Sequence, residues 1–232
     1  MEKLSSIYAR AAKRHGGRRA LEARLPRVKS RAALRKLPDD RLLAAMTRCV
    51  FQAGFVWKVI EAKWEGFEEA FEGFDPRKVS RLSDAAIGKL RSDTRIVRNP
   101  LKIRAARENA AWLVKLARDH GSAARWLADW PEDDVVVGLW GELGTHGSRL
   151  GGRTGPLVLR QIGKDTPMLS TDVVAALRRQ GIITSKSPTS KGALASVQDA
   201  FNIWRKQSGR SLAEISRILA CSEGSVYQGP PR

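Results

Sequence analysis

The chain has 232 residues, enough for one sizeable core or two smaller lobes, and its 42 Lys plus Arg against 24 Asp plus Glu leave a net charge of +18. That surplus is rich in arginine and recurs among tryptophans, so an anionic partner, nucleic acid, is expected over a merely solubilising surface. A membrane is the weaker partner, because no segment approaches the roughly 20 apolar residues that a transmembrane helix needs.

Met1-Glu2-Lys3 leads into no apolar run, so no secretory signal and a cytoplasmic protein are expected; separately, a monomer is expected. Cys49 and Cys221 are too few for a disulfide framework and share no metal-ligand spacing with His15, His120 or His146. Neither a metal nor another cofactor is expected.

Residues 8 to 36 form the most basic stretch, from Arg10 to Lys36 with Glu22 as its only acid. A disordered arm would fit that charge, but Leu21, Leu25, Ala33, Leu34 and Leu37 recur at helical intervals. Short helices broken near Gly16-Gly17 and Pro26 are therefore predicted. Pro38-Asp39-Asp40 starts the next helix with acids where the helix dipole favours them, and Leu42, Leu43, Met46, Val50 and Phe51 mark its buried face. A second amphipathic segment runs from Trp57 through Ile60, Trp64, Phe67 and Phe71, and Phe74-Asp75-Pro76 ends it.

Ser83 caps a short helix to Leu90, and Arg95 to Pro100 connect it to a long helix from Leu101 to Gly121. Pro131-Glu132-Asp133-Asp134 starts another, its acids read as capping and solvation rather than as a catalytic pair. Leu150-Gly151-Gly152-Arg153-Thr154-Gly155-Pro156 is a glycine-rich turn between a helix ending near Leu143 and one running to Ile162. It is either an ordinary loop or the turn of a helix-hairpin-helix, whose glycines let backbone N–H groups approach a DNA phosphate. Met168 to Leu177 then give an extended approach, a capping Ser170 or Thr171, and Asp172 in the first turn of a helix.

Pro188 to Lys191 introduce a helix through Val197, Phe201 and Trp204. Ser211 to Val226 look like the first helix and turn of a helix-turn-helix, yet Gly229-Pro230-Pro231 leave a recognition helix starting at Ser222 almost no length. No alternating strand pattern extends beyond a few positions. The expected fold is all-α and two-lobed, with a basic helical segment at 1–37, a helical core at 38–185 carrying the glycine-rich turn near 150–156, and C-terminal helices at 186–232 packed on it.

At Gln52-Ala53-Gly54-x-x-Trp57, followed by Phe74-Asp75-Pro76 and then Ile96-Val97-Arg98-x-x-x-Lys102-Ile103, the sequence resembles the bacterial DNA-3-methyladenine glycosylase I family of the helix-hairpin-helix superfamily. The likeness covers about residues 40 to 180 and needs no gap from Gln52 to Leu116. It implies an enzyme that flips an alkylated purine out of double-stranded DNA and hydrolyses its N-glycosidic bond in base excision repair. It also implies a bacterial, nucleoid-associated protein. Trp57 would then pack against the base, although a core tryptophan fits the same pattern. Gln52 and Gly54 would form the pocket wall with Cys49, and stacking of this kind supplies roughly 1–3 kcal/mol. Gly152, Arg153, Gly155, Arg98 and Lys102 are the expected DNA contacts.

The chain departs from that family twice. Cys49 stands where the family carries a base-recognising Glu, and no acid close by in sequence takes its place. The family's zinc ligands are missing, with Asp172 and Ala176 where a His-x-x-x-Cys pair would fall. Many members of the superfamily place a catalytic Asp at the start of the helix after the hairpin. Asp172 is the candidate there, for stabilising the sugar cation or orienting water, though Ser170 can be aligned to the same place. Lys164 does not match the lyase position, so a monofunctional glycosylase is expected. The alternative is a catalytically inactive DNA-binding protein on the same scaffold.

Overall fold

A computed structural model describes residues 1–223. Among the described residues the chain is helical throughout, with fifteen α-helices, one 3-10 turn, one π-helical segment and no strand, as the absence of alternation led us to expect. None of these helices is long and apolar enough to cross a membrane. The recognition helix that would follow Ser222, with Gly229-Pro230-Pro231, lies outside the described residues.

Contacts divide the chain into two compact units, and neither is continuous in sequence. The first consists of Met1–Val28, Pro131–Leu139 and the described residues from Asp165 onward; the second consists of Lys29–Trp130 and Trp140–Lys164. The boundaries near 37 and 185 expected from sequence therefore differ from those of the contacts. A linear reading misses this because amphipathic helices find their partners by face rather than by neighbourhood.

In the first unit the Leu4–Arg14 helix buries Leu4, Ile7 and Ala11, and it packs on the Leu212–Ser222 helix. Gly16 and Gly17, at φ 81° and 101°, break the chain where expected, before the Arg18–Glu22 helix. The basic N-terminal residues thus form structure rather than a loose arm. Leu212–Ser222 starts with a capping box, in which Ser211 and Glu214 satisfy each other's backbone, and Asp165 accepts from Leu212 N and Ala213 N at 2.9 Å each. Where a helix was expected from Pro131, the structure has a turn and then the π-helical Val135–Leu139. Asp134 accepts from Gly138 N at 3.0 Å, and a side chain at 138 would collide with that carboxylate.

The second unit is built on the Asp39–Gln52 helix, which packs against Pro100–His120 and Thr154–Ile162. Ala105, Ala106 and Ala110 are buried on the long helix and allow close approach. Asp39 does more than favour its own helix dipole, because its carboxylate accepts from Ala123 N and Ala124 N and caps the Ala123–Asp129 helix.

The single amphipathic segment expected from Trp57 to Phe71 is broken in the structure into helices Trp57–Ala62 and Trp64–Ala70. A 3-10 turn at Glu72–Phe74 follows. Lys63, at φ −102° and ψ 6°, separates the helices. Gly66 lets the second one approach the Arg95 backbone, since an added Cβ would come within 2.6 Å of Arg95 O. Glu72, Gly73 and Phe74 all have positive φ, and Arg41 holds this strained turn by donating to Gly73 O at 2.8 Å and to both oxygens of Glu68.

Candidate functional site

The residues singled out near position 50 cluster where the Asp39–Gln52 helix ends. Ala53 leaves the helical region, Gly54 turns the chain at φ 67°, and the Trp57–Ala62 helix begins four residues after the turn's first member. Phe55, Val56, Trp57 and Val59 point outward, with Trp57 55% exposed. The core-tryptophan reading of Trp57 therefore fails.

Gln52 is buried, and its Nε2 donates to Glu61 Oε1 at 2.9 Å. Cys49, fully buried, donates its thiol hydrogen to Gln161 Oε1 at 2.9 Å, and burial pushes the thiol up to about 12. Position 49 thus presents a neutral group. No acid adjoins Cys49 in sequence, and in the fold Glu61 comes back to Gln52 one helix later.

Lys102 requires a correction. It is 5% exposed, and its Nζ donates to Phe51 O at 3.0 Å and Ala53 O at 2.7 Å. Burial, with a smaller contribution from Arg149, holds its pKa below the usual lysine range. Instead of contacting DNA, Lys102 ties down the last carbonyls of the Asp39–Gln52 helix and fixes where the Gly54 turn leaves it. Arg98 is exposed, as a DNA contact requires.

The glycine-rich turn lies between helices Trp140–His146 and Thr154–Ile162, close to its expected place. Gly152, at φ 61°, and Arg153 are exposed. Gly155 is buried; its N–H donates to Leu150 O at 2.9 Å, and a Cβ there would meet that oxygen at 2.6 Å. Its glycine therefore serves packing within the turn and offers no N–H to a phosphate. No sequence signal marked Asn109, which is fully buried and grips Ser148 both ways, with Nδ2 donating to Ser148 O at 3.1 Å and Oδ1 accepting from Ser148 N at 2.7 Å. This pair anchors the turn to the long helix.

Lys164 is also buried, with Nζ donating to Trp130 O at 3.2 Å and Ala128 O at 3.4 Å. In the first unit, Ser170 is the N-cap of Thr171–Arg179 and accepts from Val173 N at 3.3 Å. Its hydroxyl is committed to the cap, whereas the half-buried Asp172 makes no side-chain hydrogen bond or ion pair among the described residues. Among those residues no group of three His, Cys, Asp or Glu could hold a metal ion. Asp172 and Ala176 supply one oxygen ligand and a methyl group where two ligands would be needed, so this chain does not fit the resembling family's zinc.

Residues 34–144 match the model of a family described as methyladenine glycosylase. Among solved structures, a single-residue variant of 3-methyladenine DNA glycosylase I in complex with 3-methyladenine is 25% identical, over 62% of this chain and 83% of that one, at a TM-score of 0.46. The 3-methyladenine DNA glycosylase I of Staphylococcus aureus is 26% identical, over 62% of this chain and 82% of its own, at a TM-score of 0.45. The likeness read at Gln52 to Trp57 is borne out by the family match, which includes Cys49, Gln52, Gly54, Trp57, Arg98 and Lys102. The glycine-rich turn and Asp172 fall beyond it.

Proposed function

We propose that the protein, whose residues 34–144 match the methyladenine glycosylase family model, flips 3-methyladenine-like purines out of duplex DNA and hydrolyses their N-glycosidic bond. The observation that carries the reading is Trp57, a large ring left 55% exposed beside a glycine turn within the matched segment. Such a ring gives an extruded base a surface to stack on, while Lys102 fixes the turn from below. Gly152 and Arg153 support a helix-hairpin-helix contact with the phosphate backbone, and Arg98 adds a second exposed cation.

The chemistry asks little of the protein. An N3-alkylated adenine in DNA is cationic, so as the C1′–N bond breaks, its electron pair neutralises the departing base. Water then attacks C1′ and leaves an abasic site. Asp172, whose carboxylate makes no hydrogen bond or ion pair among the described residues, is the group we assign to stabilising the sugar cation and taking the proton from water. A monofunctional enzyme is supported by Lys164, whose amine is buried against two carbonyls rather than free to attack the sugar.

Purified protein should release 3-methyladenine from methylated DNA without added metal, and Asp172→Asn should slow turnover while sparing DNA affinity. An unchanged rate removes Asp172 from the mechanism. Cys49 favours a second reading, a DNA-binding protein that has lost the reaction, because its buried neutral thiol offers a base no charge. Tight, salt-sensitive binding to methylated or abasic DNA with no base released would decide for it.

A further inference from the structure

Glu61 lies on the Trp57–Ala62 helix one turn beyond Trp57, at the i,i+4 spacing that puts two side chains on the same helix face. Its side chain is 49% exposed. Both of its contacts fall on one oxygen: Gln52 Nε2 donates to Oε1 at 2.9 Å, and Arg48 Nε lies 3.7 Å from the same atom. Oε2 has no partner among the described residues.

The groups behind Glu61 are themselves fixed. Gln52 is buried, and the Arg48 guanidinium lies 4.0 Å over the Trp64 ring, whose Nε1 donates to Glu68 at 3.0 Å. A surface glutamate held only by a mobile arginine would have neither support. Here one carboxylate oxygen is held from behind, the other makes no hydrogen bond among the described residues, and an exposed indole lies one turn away on the same helix.

We propose that Glu61 is the base-recognising carboxylate of this chain, accepting a hydrogen bond from the amino group of an N3-alkylated purine stacked on Trp57. The proposal rests on the glycosylase reading above, and it answers the question raised by Cys49: the acid has moved from the end of one helix to the face of the next. Gln52 and Arg48 are positioning residues that hold Oε1 so that Oε2 points to the base. A carboxylate also favours a purine carrying positive charge over neutral adenine, so the same group contributes to damage selectivity.

The test is to titrate free 3-methyladenine into wild type and Glu61→Gln, read by tryptophan fluorescence and calorimetry, with base release from methylated DNA measured in parallel. Glu61→Gln should weaken binding of the free base by about tenfold, the order expected for one charge-assisted hydrogen bond. It should leave affinity for undamaged duplex unchanged, and Glu61→Ala should match it. Binding within about twofold of wild type in both variants overturns the proposal, as does an equal loss of affinity for undamaged DNA, which marks a structural role. If wild type releases no base yet binds it through Glu61, the recognition site stands and the catalytic reading falls. If wild type releases base and Glu61→Gln does so equally well, the reverse holds. Wild type that neither binds nor releases the base overturns both.

Discussion

Trp57 and Trp64 lie two helical turns apart in what the sequence presents as one amphipathic stripe, yet they end in opposite environments. Trp64 stacks on Phe67 and Phe74 at centroid distances of 5.5 and 5.3 Å, and Phe67 extends the cluster to Phe71 and Phe51. Trp57 and its neighbours Phe55 and Val56 face water. The difference teaches that aromatic residues at helical spacing carry two jobs here, one anchoring the second unit and one kept out of it. The break at Lys63 is what separates them.

The comparison can be broken most directly on its buried side. Phe67→Ala should cost about 3–5 kcal/mol, because it removes a fully buried ring from the middle of the stack, and urea denaturation would measure the loss. Lys102→Met should cost about 1.5–3 kcal/mol by leaving Phe51 O and Ala53 O without their cation, and it should also loosen the Gly54 turn. Asn109→Ala, which strips Ser148 of both backbone partners, should cost about 1–3 kcal/mol. On the exposed side, Trp57→Ala should change stability by less than about 0.5 kcal/mol. A large loss on that substitution would mean that Trp57 is part of the core after all.

Cys49 sharpens the comparison through pH. Its folded pKa, pushed up to about 12 by burial, lies above the ordinary thiol value. The folded state therefore holds the proton more tightly than the unfolded one. Its contribution to stability is complete below about pH 9 and is lost as pH rises from there toward about 12. Denaturation midpoints of wild type should fall over that window more steeply than those of Cys49→Ser, and equal slopes would place the titration elsewhere.

Much of this fold was legible in the sequence. The acids at Asp39 and Asp40, the caps at Ser83 and Ser170, and the long helix closed by Gly121 are local signals, and each lies where its chemistry predicts. The family likeness was legible at Gln52 to Trp57, within the segment that matches the family model. What stayed hidden depends on contacts distant in sequence. Nothing in the pattern distinguishes Lys102 or Lys164, turned inward onto carbonyls, from the many exposed cations of so basic a chain. Likewise, Gly155 reads as a phosphate-facing glycine until Leu150 O is found beneath it. Asn109 and Glu61 were invisible for the same reason, because each acquires meaning from a partner on another element.

In the function we propose, the exposed ring just past the end of the Asp39–Gln52 helix receives a flipped, alkylated purine. Chromatographic analysis of bases released from methylated DNA, for wild type and Trp57→Ala side by side, tests it most directly. Wild type should release 3-methyladenine, and a Trp57→Ala variant of equal stability should release it near background. No release from wild type, or equal release from both, would contradict it.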